Sequence, residues 1–156
     1  MAVSHTNGVN DPFSAEVTVC DVFNDDDLNA VRLFMLGKNI HDKNALEEFL
    51  EEISEVALIH DITVPPSDRG KGYGAAGLDF CLDNAGEADV IFLEVEESDH
   101  NVFSLKEWYR RHGFVDISSG GEFPVYALPC SQEIEQMESF KKLQRSYVPA
   151  PTGMRP

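Results

Sequence analysis

The stretch from Val64 to Gly74, V-P-P-S-D-R-G-K-G-Y-G, most restricts the folds open to this chain. It lies between a strand-like run, Ala57 to Thr63, and a helix-like run, Ala75 to Asn84. A strand that enters a glycine-rich turn and leaves as a helix makes an anion site. Glycines at alternate positions, Gly70, Gly72 and Gly74, let the backbone approach a ligand and turn its N–H groups inward, where a Cβ would obstruct. The helix start adds unpaired N–H groups and the positive end of its dipole, both suited to a phosphate or pyrophosphate. Arg69 and Lys71 bring positive charge to the same turn. The absence of G-K-[ST] argues against a Walker P-loop, and the spacing is not the G-x-G-x-x-G of a dinucleotide fold.

What remains is R-x-x-G-x-G, read at Arg69, Gly72 and Gly74, with V-x-P at Val64 and Pro66 just before it. Further on, Y-R-R-H-G-F from Tyr109 to Phe114 has the form Y-x-x-x-G-F. Together these resemble the acetyl-CoA-binding motif and the closing signature of the GNAT superfamily of N-acetyltransferases. The resemblance covers the chain from about Ala57 to Leu128 and fits the first third poorly. It implies an α/β (α+β) fold with a mixed central sheet flanked by helices, and direct transfer of an acetyl group from acetyl-CoA to an amine in a ternary complex. The CoA pyrophosphate would fall to the backbone of Arg69, Gly70, Lys71, Gly72, Tyr73 and Gly74. The thioester would be oriented by main-chain groups of Ile62, Thr63 and Val64. Tyr109 matches the family's tyrosine, a general acid for the leaving thiolate; the plainer alternative is a core aromatic beside Trp108. Asn101 stands near a CoA-contacting asparagine of the family but one residue off register with Tyr109.

Two departures from the family pattern matter. A usual GNAT domain places a hairpin, its second and third strands, between its first helices and the motif strand. No hairpin signal precedes Val56 here, so that hairpin is expected to be missing or shortened and the amine side more open. The family often carries a Glu six residues before the motif valine, where this chain has Leu58. His60 lies on the same strand face two residues nearer, a position where arylalkylamine-type members also carry histidine, and an imidazole accepts a proton near neutral pH. Asp61, Glu94 or a water chain are the other candidate bases.

With 156 residues the chain is one domain by size, long enough to bury roughly 70% of its unfolded surface. Cys20, Cys81 and Cys130 are odd in number and lack metal-ligand spacing, so neither a disulfide framework nor a metal site is expected, and a reducing cytoplasm fits best. The first residues lack the basic start and apolar segment of a secretory leader, and no apolar run approaches membrane-spanning length. The 28 acidic and 12 basic side chains give a formal charge of −16. That disfavours binding to a nucleic acid backbone. It serves solubility, or suits a cationic partner such as an amine acceptor.

Residues 1–15 contain turn formers without periodicity and read as a flexible tail. Residues 16–129 read as the acyltransferase-like domain. Glu16 to Phe23 alternates as a first strand, Asn24 to Asp27 caps a helix carrying Leu28, Val31, Phe34 and Met35, and a second helix runs from about Asp42 to Ser54. On the motif strand a period of two groups Leu58, His60, Ile62 and Val64 on one face. Val90 to Val95 is an apolar strand buried on both faces. A helix from about Val102 to His112 and a closing hairpin, Phe114–Ser118 with Phe123–Leu128, complete the domain. In 130–156, Ile134, Met137, Phe140, Leu143 and Tyr147 mark one amphipathic helix, which packs back on this domain or meets a second copy or another partner. An alternative to the enzyme is a catalytically inactive, acidic binding protein of the same fold.

Overall fold

The computed structural model describes residues 2–96 and 104–148. In chain order the elements are β1 (Val3–Thr6), β2 (Ser14–Asp21), α1 (Asp25–Met35), α2 (Lys43–Glu52), β3 (Glu55–Thr63), α3 (Tyr73–Asp83), β4 (Val90–Glu94), α4 (Leu105–Arg111), β5 (Val115–Asp116), β6 (Val125–Pro129), α5 (Gln132–Glu135) and α6 (Glu138–Leu143). The strands form a six-stranded mixed sheet in the order β1-β2-β3-β4-β6-β5. Only β3 and β4 pair in parallel; their ends are far apart, so the connection must cross the sheet, and α3 makes that crossing.

Alternation along the central strands divides the core in two. Val56, Leu58, Val90 and Phe92 face α1, α2, α5 and α6, around Val31, Phe49, Phe140 and Leu143. Ala57, Ile59, Ile91 and Leu93 face α3 and α4, around Leu78, Cys81 and Tyr109. Helices on both faces of a central sheet explain why β4 reads as a continuous apolar run. The helix starts follow their caps: Asn24 accepts from Asp27 N, and Asp42 accepts from Ala45 N. Among the described residues no helix is long and apolar enough to cross a membrane.

Three expectations change. Residues 1–15, read as a flexible tail, contain β1, which pairs with β2 from Val3↔Val19 to Thr6↔Glu16. The turn between them is tied by Asn7, whose side chain donates to Phe13 O and accepts from Ala15 N. β1 is short, polar and at the sheet edge, so its sequence carries no alternation, and its order comes from pairing. As expected, no hairpin stands between the helices and the motif strand, since only Ile53 and Ser54 separate α2 from β3; what changes is the open side that this absence implied. A hairpin nevertheless completes that side of the sheet, built by β1 and β2 ahead of the helices.

The C-terminal helix is two short helices. Ile134 and Leu143 are nine residues apart, and at roughly 100° per residue they fall on opposite sides of a continuous α-helix. Both are buried, which is reached by a break: Met137 is extended (φ −64, ψ 134) and starts α6 afresh. Phe140 then meets Phe49 of α2 at 5.3 Å between ring centroids. Ile134, Phe140 and Leu143 thus belong to this chain's own core, and Met137 packs against it.

Candidate active site

A bulge in β3 opens the site. The β2–β3 register passes from Glu16↔Asp61 to Val17↔Ile59, leaving His60 as an extra residue on β3. The extra residue reverses the alternation beyond it. Ile62, expected on the face of Leu58, packs instead on the Ile59 side, with Gly77 and Phe13. At the same place β3 parts from β4: their parallel pairing ends at Ile59↔Leu93, although β3 runs on to Thr63. The gap is a cleft of about 810 Å³ that reaches both faces of the sheet.

The end toward α3 is made of main chain. After a 3-10 turn at Pro66–Asp68, Gly70 and Gly72 have φ +83° and +84°, a conformation that costs other residues. A Cβ added at Gly70, Gly72 or Gly74 meets nothing within 4 Å, so the loop faces open space. No side chain caps α3; the first N–H of its opening turn with a main-chain acceptor is that of Ala76, to Gly72 O. The N–H groups before it are those that a helix start leaves to an outside acceptor, and an anion suits them. Gly77 fixes α3 in depth, because a Cβ there would lie 2.9 Å from Ile62 Cγ2. Ile62 to Val64, Arg69, Gly70 and Gly72 to Gly74 all line the cleft. Lys71 does not; it sits 3.6 Å from Asp68. Arg69 donates from Nε to Val64 O, bracing the loop. Asn101 lies outside the described residues.

Tyr109 enters from α4, whose N-cap Ser104 accepts from Glu107 N. It is 8% exposed and lies edge-on to Trp108 and Phe114, at 5.0 and 5.5 Å between centroids. Burial first, then the neighbouring Cys81 sulfur and the Asp61 carboxylate, pushes its phenol up to about 12. It is therefore a protonated donor at neutral pH. Arg110 and Arg111 are exposed.

The opposite end is made of side chains from distant segments. His60 Nε2 lies 2.9 Å from Thr18 Oγ1, which lies 2.7 Å from Ser4 Oγ, so a hydrogen-bonded row crosses β3, β2 and β1. Phe34 of α1 stands edge-on to His60 at 6.1 Å. Lys38 Nζ is 3.2 Å from Glu94 Oε2 and 4.7 Å from the Phe34 ring centroid. The three candidate bases thus differ. Asp61 accepts from Ser14 and Thr63 hydroxyls, Glu94 is ion-paired, and His60 keeps an exposed imidazole in the cleft with one hydroxyl partner. Sequence reasoning missed Lys38, which lines the cleft, and Thr18, which sits behind His60, because tertiary contacts alone bring them there. It assigned Phe34 to the core, because a helix stripe does not say which member reaches an opening.

Comparison with known proteins bears on this geometry. Residues 39–114 match the model of the acetyltransferase (GNAT) family. No curated protein matches the chain. Among solved structures it is similar to the Pyrococcus horikoshii OT3 protein PH1933, at 28% identity over 52% of this chain and 50% of that one, TM-score 0.43. It is similar to a Drosophila melanogaster polyamine N acetyltransferase, at 11% identity over 75% of this chain and 68% of that one, TM-score 0.47. A third is N-acetylglutamate synthase from Neisseria gonorrhoeae, complexed with coenzyme A and N-acetyl-glutamate, at 16% identity over 74% and 35%, TM-score 0.39. The match spans half the length of the first of these chains and about a third of the last.

Proposed function

We propose that this chain moves an acetyl group from acetyl-CoA to a primary amine, a reading supported by the match of residues 39–114 to the model of the acetyltransferase (GNAT) family. The observation that carries the reading is the parting of β3 from β4 at His60, which lets one cleft hold an uncapped helix start, a buried phenol and an exposed imidazole. The loop from Arg69 to Gly74 fits a pyrophosphate: the Cβ positions of Gly70, Gly72 and Gly74 are open and no side chain caps the start of α3. The main chain of Ile62 to Val64, no longer paired to β4, is free to hydrogen-bond the pantetheine and align the thioester. Such alignment makes a bimolecular step effectively unimolecular. His60 takes a proton from the acceptor ammonium, and Tyr109 gives one to the leaving sulfur.

The formal charge of −16 favours a cationic acceptor by steering. A purely binding role drew support from the missing hairpin, and the β1–β2 hairpin restores that side of the sheet.

Thermal unfolding with and without acetyl-CoA, together with a free-thiol assay, tests the reading. At about 100 times the dissociation constant the ligand stabilises by roughly 2.7 kcal/mol, or about 5–10 °C for a chain of this size. The expected result is that shift, with thiol release that rises on adding an alkylamine. No shift at millimolar acetyl-CoA would favour the acidic binding protein.

A further inference from the structure

Of the chain's six lysines, Lys38 alone lines the cleft. It follows the end of α1, where Gly37 (φ +77°) turns the chain and Lys38 N donates to Met35 O. Its ammonium is held between the Glu94 carboxylate and the Phe34 ring, with 20% of the side chain exposed. A carboxylate and an aromatic face are the groups that would receive an incoming alkylammonium. Lys38 therefore already presents a primary amine, on a flexible four-carbon stem, at the end of the cleft that holds His60.

We propose that Lys38 Nζ is itself an acyl acceptor, acetylated in cis by the same cleft. The inference rests on the acyltransferase reading above. The ammonium releases one proton to His60, and Nζ forms a bond to the thioester carbonyl carbon as the carbon–sulfur bond breaks. Sulfur takes a proton from Tyr109, which regains one from the nitrogen. Of three N–H bonds one remains in the amide, one proton ends on the CoA thiol and one leaves through His60, so charge and electrons balance without a further reactant. Acetylation removes the charge of Lys38, and with it both the pair to Glu94 and the contact with Phe34. Glu94 is then left as an unpaired anion at the acceptor end, and the affinity for an alkylammonium acceptor rises.

The test is peptide mass spectrometry of the full chain after incubation with acetyl-CoA. Lys38 is expected to gain one acetyl group faster than the exposed Lys43, at a rate per molecule that does not change across a dilution series. Tyr109→Phe should slow this in step with acetyl transfer to added spermidine. Acetylation of spermidine with Lys38 unmodified would overturn the inference and leave the acyltransferase reading standing. No acetylation of either, with no thermal shift on adding acetyl-CoA, would overturn both. Equal labelling of Lys38 and Lys43, or undiminished labelling in Gly72→Trp, would mean plain chemical acylation. A rate that rises with protein concentration would mean transfer between molecules; both outcomes reject the proposal.

Discussion

The two ends of the cleft are built on different principles. The end proposed for the donor is one continuous stretch of main chain, from the tail of β3 beyond its pairing with β4 through Gly70 and Gly72 to the uncapped start of α3. The end proposed for the acceptor is a convergence of side chains, with Phe34, Lys38, His60 and Glu94 in the cleft and Thr18 and Ser4 behind His60, drawn from α1, the turn after it, β3, β4, β2 and β1. Phosphate recognition by N–H groups depends on backbone conformation and on the absence of Cβ atoms, so it tolerates few changes. Amine recognition by side chains can be altered one residue at a time without moving the loop.

Gly72→Trp should break the donor end alone, and it carries the largest expected effect. The left-handed φ costs a non-glycine residue about 1–2 kcal/mol, and because nothing lies within 4 Å of the new Cβ the fold has room for it. The indole then fills the space a pyrophosphate would need. Circular dichroism should keep its shape while affinity for acetyl-CoA falls about 100-fold or more, ~2.8 kcal/mol. An undiminished thermal shift on adding acetyl-CoA would place the donor elsewhere.

Tyr109→Phe tests the point where the ends meet. Turnover should fall roughly 10- to 1,000-fold while acetyl-CoA still binds, as for loss of a general acid. The pH dependence sharpens this. With its phenol pushed up from 10 to about 12 by burial, Tyr109 stays protonated through the neutral range, so a basic limb in turnover below pH 10 would come from another group. The raised value also contributes stability that is present below about pH 10 and lost as pH climbs to about 12. Phenylalanine should therefore flatten the alkaline loss of stability, measured by denaturant titration across that window. Unchanged turnover would leave Tyr109 a core aromatic.

The same division explains what the sequence disclosed. The glycine loop, the caps Asn24 and Asp42, and the apolar run of β4 are local signals, and each marks the element found there. The bulge at His60 has no local signal, since it exists only as a mismatch with β2; a strict period of two therefore sends Ile62 to the wrong face. β1 is ordered by its partner strand rather than by its own composition. Gly77 reads as an ordinary small residue in a helix, although its hydrogen lets α3 approach Ile62. Lys38 carries no hint of a cleft in its neighbours, because Glu94 and Phe34 reach it only after folding.

Thr18→Val is the mildest change and bears on the acceptor end. It keeps the shape of a buried β2 residue and removes the hydroxyl between Ser4 and His60. His60 is exposed, so water replaces the lost partner, and stability should fall by only about 1 kcal/mol. If that hydroxyl fixes the imidazole's orientation, turnover on an alkylamine should drop roughly 3- to 10-fold, about 0.7–1.4 kcal/mol of barrier, with acetyl-CoA affinity unchanged. Thr18→Ser should restore turnover. A purely structural role would lower the unfolding midpoint without touching turnover. Turnover unaltered would remove Thr18 as the group that positions His60.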